Sequence, residues 1–270
     1  MPELPEVETS RRGISPHIVG KSLTRLLVRQ AKLRWPVPDN LEQRLAGKIL
    51  LDVSRRGKYL LLNFAEDYLL VHLGMSGSLR ITNPAELPGK HDHVDWIFND
   101  DTVLRFNDPR KFGAVLSTTN PAEHPLLAML GPEPLSADFS ATYLQQRSQN
   151  RRVPIKSLIM DSHIVVGVGN IYASESLFGA GIHPLRSAGD VTLAEFQRLT
   201  DSIQSVLSKS IQQGGTTLRD FTNAEGKPGY FQQTLQVYGR RNQPCRLCAT
   251  PIEHLKIGQR ASYFCPVCQH

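Results

Sequence analysis

The chain has only four cysteines, and they fall in two pairs: Cys245 and Cys248 in CRLC, then Cys265 and Cys268 in CPVC, with sixteen residues between the pairs. Two thiolates on one tight knuckle bind a metal, and two such knuckles complete a tetrahedral zinc site. Two disulfides or a redox C-x-x-C pair are competing uses of the same residues. The chain opens without the basic start and apolar run of a secretory signal, so its thiols are expected reduced. Neither pair has the strand-then-helix surroundings of a redox motif. One structural zinc ion is the expectation.

The opening itself, MPELPEVET, places a proline directly behind the methionine and three glutamates soon after. A helix start explains part of this. Pro5 suits the first helical turn, and Glu3, Glu6 and Glu8 favour the positive end of a helix dipole. That reading accounts for Glu6 and Glu8 but leaves Pro2 unexplained. Further along, VVGVGNIYASE carries Gly167 and Gly169 just before a helix expected to open at Asn170. Glycines there let backbone approach a ligand, and the helix start offers free N–H groups to a phosphate. A dinucleotide fingerprint does not fit, because the glycine spacing is wrong and no strand-helix-strand unit surrounds it. DPRKFG (108–113) puts two bases and an aromatic on an expected loop between strands, where a solvated turn with Phe112 in the core is the simpler reading. HLGMSGSLR (72–80) sets Met75 on a glycine-flanked turn, an unusual place for a core methionine. Exposed Met and Phe near an Arg suit insertion into a base stack.

These stretches need a scaffold of 270 residues, 40% apolar and 21% charged, which is globular in composition. A net charge of +6 points modestly to a polyanionic partner. No apolar run approaches the roughly 18 residues that span a bilayer, so a soluble protein is expected. Residues 22–118 read as many short β segments, with NDD (Asn99–Asp101) as a hairpin turn. Little helix separates them, which argues for a sandwich or flattened barrel over a parallel sheet. At LGPEPLSADF (130–139) the pattern changes: a proline-rich linker, then a helix start signalled by Ser136 and Asp138. SATYLQQRSQ, IKSLIMD, YASESLFGAG and Thr192–Gly215 carry helical periodicity, the last ending in Gly-Gly. The order is a β domain, a linker, a helical domain and a zinc ribbon, with boundaries at 1–130, 131–235 and 236–270.

MPELPEVET, HLGMSGSLR, DPRKFG, GVGNIYASE, GGTTLRDF, EGKPGYF and QVYGR, in that order, resemble one family across essentially the whole chain. It is the bacterial formamidopyrimidine-DNA glycosylases, which remove oxidised purines from DNA. The resemblance implies a multi-domain α and β fold. An N-terminal β-sandwich with a short leading helix precedes a helix–two-turn–helix domain, which ends in a β-hairpin zinc ribbon. It also gives Pro2 a purpose. With methionine removed, its ring nitrogen becomes a secondary amine titrating near ~8, so a usable fraction is unprotonated at neutral pH. Attack on the anomeric carbon of the sugar gives an iminium, an electron sink for base loss and for β- and δ-elimination.

By the same resemblance Glu3 is the acid–base partner and Glu6 its buttress. Lys58 binds phosphate and moves protons, and Arg260, on the hairpin between the knuckles, is held against a phosphate by the zinc. The damaged nucleotide is flipped out, and Met75, Arg110 and Phe112 match the residues that fill the void, with Arg110 facing the orphaned cytosine. His72, Lys156 and Asn170 match phosphate contacts, while His91 and Arg151 match further DNA-binding positions. The 216–226 loop matches the lid over the extruded base. Lys111 departs from relatives that carry a second arginine there. The implied partner is damaged double-stranded DNA, bound by a monomer in the bacterial cytoplasm. Two alternatives stand beside this: an endonuclease VIII-like enzyme acting on oxidised pyrimidines, against which PELPE rather than PEGPE speaks, and a non-catalytic zinc-ribbon DNA-binding protein, against which Pro2, Glu3 and Lys58 speak together.

Overall fold

The structure, a computed structural model, describes residues 2–215 and 235–270. The chain divides into two compact units, 1–128 with 213–232 and 129–212 with 233–270. The helical segment and the cysteine ribbon, read from the sequence as separate domains, thus share one unit. The expected lid, 216–226, lies outside the described residues, as does EGKPGYF.

In the first unit the leading helix α1 (Leu4–Ile18) starts at an N-cap, Glu3, with a proline in its first turn. Two antiparallel four-stranded sheets follow. One joins β1 (Leu23–Val28), β5 (Ser78–Thr82), β6 (Asp92–Phe98) and β7 (Val103–Asn107) in the order β1-β6-β7-β5. The other joins β2 (Asp52–Arg56), β3 (Tyr59–Phe64), β4 (Asp67–His72) and β8 (Ala114–Thr118) in the order β2-β3-β4-β8. Short helices α2 (Leu41–Leu45) and α3 (Pro125–Ala128) lie outside the sheets. The expected turn at Asn99–Asp101 does connect β6 to β7, and Asp101 takes a left-handed φ of 64° there.

Strand β3 reads YLLLNF with Leu60, Leu62 and Phe64 buried and the intervening residues half-exposed, the period-two pattern of a sheet covered on one face. Those three side chains join Val7, Ile14 and Ile18 of α1 and Leu26, Trp96, Leu104 and Phe106 of the other sheet in one core. Each such side chain withdrawn from water contributes about 1.5–3 kcal/mol. The sequence pattern gave no sign of a row of buried charges. Arg105 forks onto Asp95 at 2.8 and 2.9 Å, Arg29 joins the same carboxylate at 2.6 Å, and Arg80 forks onto Asp92 at 2.9 and 2.8 Å.

In the second unit α4 (Ala141–Ser148) begins at Ser140, whose hydroxyl accepts the Tyr143 N–H at 3.2 Å. Ser136, the expected helix start, instead donates its hydroxyl to Glu133 O and closes a turn. Helices α5 (Ile155–Met160) and α6 (Asn170–Ala180) follow, α6 ending at Gly181 with φ 71°. The long α7 (Leu193–Gln212) buries Phe196, Leu199, Ile203 and Leu207, the spacing of a helix with one covered face. The hairpin β9 (Glu253–Ile257) and β10 (Arg260–Phe264) lies between the cysteine pairs.

The ribbon belongs to the helical unit because α6 holds it. Glu175, buried in that helix, accepts the backbone N–H groups of Gln236, Val237 and Tyr238 at 2.8, 2.9 and 2.8 Å. Phe178 packs with Val237, Cys245, Ile252 and Cys265. At the chain end, His183 N–H donates to His270 O and His270 N–H to Gly181 O.

Glu8 ties α1 to β2. Its carboxylate accepts from Arg11 at 3.0 and 2.8 Å, from Arg12 at 2.8 Å and from Arg55 of β2 at 3.2 Å. Glu8 therefore serves as an ion-pair hub rather than a group at the helix dipole. Burial alone would raise its pKa, but the arginine hydrogen bonds and charges hold it at about 2 instead of the ordinary 4.5. A carboxyl held down on folding stabilises fully above its unfolded pKa, and that contribution fades as pH falls from 4.5 toward 2. Glu8→Gln should cost about 1–2 kcal/mol at pH 7, because it removes the buried carboxylate that three arginines share and leaves the half-buried Arg11 and Arg55 without it. It should also flatten the acid-side loss of stability over that window. Urea titrations of both proteins across pH check this, and superimposable curves would reject the hub.

Candidate active site and nucleic-acid interface

The N-terminal residues are fixed by reciprocal capping of α1. Glu3 N–H donates to Glu6 Oε2 at 2.8 Å, while the Glu3 side chain accepts the N–H of Glu6. Pro2 is buried, Glu3 is 2% exposed and Glu6 fully buried. Gly215 comes so near that an added Cβ would lie 3.3 Å from Glu6 Cγ and Oε1. Glu6 is thus the support of Glu3, and Glu8, through Arg55, fixes the same helix to the strand that leads to Lys58.

Lys58 sits in the two-residue turn between β2 and β3, where Arg56 faces Tyr59 across the ladder. Gly57 supplies the φ of 57° that the first turn position demands. The Lys58 ammonium is close enough to His72 to act on it. Burial first, then the charges of Lys58 and Arg34, hold the His72 pKa at about 4. His72 Nδ1 accepts the Gly74 N–H at 3.0 Å, which places the proton of the neutral ring on Nε2. His72 is therefore a neutral Nε2–H donor at physiological pH.

Two loops bring the three expected void-filling residues together. An added Cβ on Gly74 would fall 2.4 Å from Gly113 N and from Phe112 C, so only glycine allows the Met75 turn to pack on the DPRKFG loop. Phe112 is 44% exposed, and the Arg110 guanidinium lies 5.0 Å from its ring centroid. Phe112 stands out of the core, contrary to the simpler reading of that loop. His91 lines a cavity of about 330 Å³ with Arg29, Lys90 and Lys111. Arg29 and Lys90 escaped the sequence reading because isolated basic residues carry no motif.

In the second unit Arg260 is exposed at the start of β10, after the turn led by Gly258. Arg151 is also exposed. Lys156, expected as a phosphate contact, is 1% exposed and donates to Asn170 Oδ1 at 2.7 Å, Ser262 Oγ at 2.7 Å and Ala261 O at 3.2 Å. Asn170 Nδ2 donates to the same Ala261 carbonyl at 3.0 Å. Both side chains thus hold the strand that carries Arg260. A pocket of about 270 Å³ is lined by Lys156 and Arg260 together.

The sulfur atoms of Cys245, Cys248, Cys265 and Cys268 all lie within 4.8 Å of one another, with the shortest approaches at 3.5 Å. A tetrahedron of Zn–S bonds near 2.3 Å sets its sulfurs about 3.8 Å apart, whereas a disulfide needs about 2.05 Å. The four thiolates fit zinc. No helix among the described residues is long and apolar enough to cross a membrane.

Three family models match the chain in succession. The formamidopyrimidine-DNA glycosylase N-terminal domain matches residues 1–115, the H2TH domain of the same enzymes 130–222, and a zinc finger found in FPG and IleRS 242–270. The formamidopyrimidine-DNA glycosylase of Methylococcus capsulatus is 58% identical over 270 residues, and that of an Escherichia coli strain 56%, each covering 100% of both chains. Among solved structures, a Lactococcus lactis FPG mutant in complex with Fapy-dG DNA superposes at a TM-score of 0.93 with 33% identity and 100% of both chains covered. The Thermus thermophilus MutM (FPG) protein superposes at 0.87 with 36% identity, covering 99% of this chain and 98% of that one. On these matches the chain belongs to the formamidopyrimidine-DNA glycosylase family.

Proposed function

We propose that this protein excises oxidised purines, including 8-oxoguanine and formamidopyrimidines, from duplex DNA and then cleaves the strand at the abasic sugar. The observation that carries this reading is the capped N-terminus, which fixes Glu3 beside the residue with the reactive amine. After methionine removal the Pro2 nitrogen attacks C1′, the base departs with a proton, and an iminium remains on the sugar. Loss of a C2′ proton and then of the 3′ phosphate is the β-elimination, and δ-elimination releases the 5′ phosphate. Glu3 protonates the ring oxygen and relays protons in these steps. Lys58 and Arg260 bind phosphates and assist proton transfer. Neutral His72 donates Nε2–H to a phosphate oxygen, and Asn170 and Lys156 act through the Arg260 strand. His91 and Arg151 contact the backbone, and Met75, Arg110 and Phe112 fill the space left by the flipped nucleotide. The enzyme works as a monomer in the cytoplasm, at the nucleoid.

The four cysteines hold zinc, which contributes folding free energy to the ribbon and leaves the chemistry to side chains. Metal analysis should find one zinc per chain. A strong chelator should abolish DNA cleavage while the melting of the β unit survives, and full cleavage by verified metal-free protein would overturn the positioning of Arg260 by zinc.

Borohydride added during reaction with an 8-oxoguanine duplex should join protein and DNA covalently, with peptide mapping placing the bond at Pro2. Extra residues ahead of Pro2 make its nitrogen an amide, whose lone pair is delocalised, and should abolish the adduct. Glu3→Gln should keep binding and lose base excision by about 100-fold or more, the usual scale of general acid–base assistance. An adduct mapping to Lys58, or full yield from the blocked protein, would show that the nucleophile lies elsewhere.

A further inference from the structure

The bases and the phenylalanine of DPRKFG have roles above, but the aspartate that begins it has none. Asp108 is fully buried. Its Oδ1 accepts the Ser76 hydroxyl at 2.8 Å and the Arg110 N–H at 3.2 Å, and its Oδ2 accepts the Gly113 N–H at 2.7 Å. The Ser76 oxygen in turn lies 3.3 Å from the Arg110 N–H. The Asp108 main chain continues the pattern: its N–H donates to His91 O at 2.9 Å, and its carbonyl accepts from His93 Nε2 at 2.8 Å.

One residue therefore joins three segments. Ser76 follows Met75 directly. Arg110 N–H and Gly113 N–H flank Phe112 on either side. His91 belongs to the basic cavity. Between these anchors the loop is unusual: Lys111 adopts φ 57°, a left-handed conformation that a lysine rarely takes without outside constraint. The two carboxylate oxygens supply that constraint by fixing the N–H groups on both sides of the bend. With the bend fixed, Phe112 and Arg110 stand out of the core while Asp108 and Gly113 at its two ends stay buried.

We infer that Asp108 is the positioning residue of the void-filling wedge: it holds the Met75 turn and the Arg110–Phe112 bend in one rigid arrangement before DNA arrives. The inference rests on the function proposed above. The physical reason is entropic. Three side chains that must enter a base stack together bind better when their loops are already ordered, because the ordering free energy is not then charged to binding. Only a carboxylate fits the role, since every group that faces it donates. An asparagine has one accepting oxygen. Turned either way, its NH₂ group meets the N–H of Gly113 or of Arg110, donor against donor, in a buried place.

The test is Asp108→Asn, an isosteric change, compared with Phe112→Ala and with the double variant. On a duplex with 8-oxoguanine opposite cytosine, Asp108→Asn should slow excision by about 10-fold or more, the cost of a buried donor left unpaired. Its preference for cytosine over adenine opposite the lesion should shrink. A single strand with a preformed abasic site has no orphaned base and no void, so borohydride trapping at Pro2 should stay within about twofold, as for distant independent sites. The double variant should be slower than Phe112→Ala by no more than about twofold, because both changes disable one device. Additive losses in the double variant, or equal losses on the single strand, would overturn the inference. If Asp108→Asn does not fold, Ser76→Ala removes one donor and keeps both N–H bonds, and the same non-additivity with Phe112→Ala is required of it. A wild-type protein inactive on both substrates would defeat the proposed function instead, so the two failures are distinct.

Discussion

A reactive N-terminus, the role proposed for Pro2, can be held only from one side, and the hydrogen bond from Glu3 N–H to Glu6 Oε2 fixes the residue that follows it. Chain termini ordinarily fray, since no preceding segment anchors them. A nucleophile that is the first residue of the mature chain therefore depends on its first few successors for all of its placement. The sequence meets this by starting a helix at once. Glu3 caps α1, the proline of the first turn fixes φ where no N–H is needed, and Glu6 closes the cap from within. Glu8 then transmits the placement to the sheet through Arg55, one residue before Arg56 enters the turn of Lys58. The motif PELPEVE is thus a single mechanical unit, in which each acid has a different partner and none is interchangeable with the next.

The same economy recurs wherever a functional segment leaves the sheets or helices. Burying a charge is costly unless hydrogen bonds surround it, and several of the buried charged groups here lie at the roots of such segments. Asp92 accepts the Gly89 N–H at 2.7 Å beside His91. Lys156 supports the residues that follow Arg260, and Glu175 captures three successive N–H groups, of Gln236, Val237 and Tyr238, ahead of the cysteine ribbon. For Glu175, burial raises the pKa and the three N–H bonds oppose that rise. These groups do not add stability cheaply. They define one conformation for loops whose own sequences would permit several.

How much of this was legible in the residues themselves depends on whether the signal is local. The zinc ligands, the leading helix, the Asn99–Asp101 hairpin and the Gly-capped end of α7 all follow from patterns a few residues long, and the structure has each of them. The helix after the linker starts at Ser140 and not at the expected Ser136, although both are good capping residues. What decides is Phe139, 2% exposed, which must turn inward before the helix can begin. The partners of Asp108 and Lys156 were illegible for a different reason. Lys156 meets Ser262 across 106 positions and Asp108 meets Ser76 across 32, and no local periodicity encodes such a pairing. An acid in the middle of the apolar run IYASESLF was a usable clue to Glu175, since a buried carboxylate must find donors.

On the function proposed above, the electrostatics around His72 answer the same need to bind an anion without self-repulsion. Lys58 and Arg34 already supply positive charge near the ring. A third cation would raise the energy of the free protein in exchange for attraction that ionic strength weakens. A neutral Nε2–H instead contributes a directional hydrogen bond at no Coulomb cost. The Gly74 N–H enforces that choice, because protonating Nδ1 would set two donors 3.0 Å apart. Since Gly74 also begins the Met75 turn, the tautomer proposed to bind phosphate is the one that keeps this turn in place. On the function proposed above, phosphate recognition and void filling thus share one backbone amide.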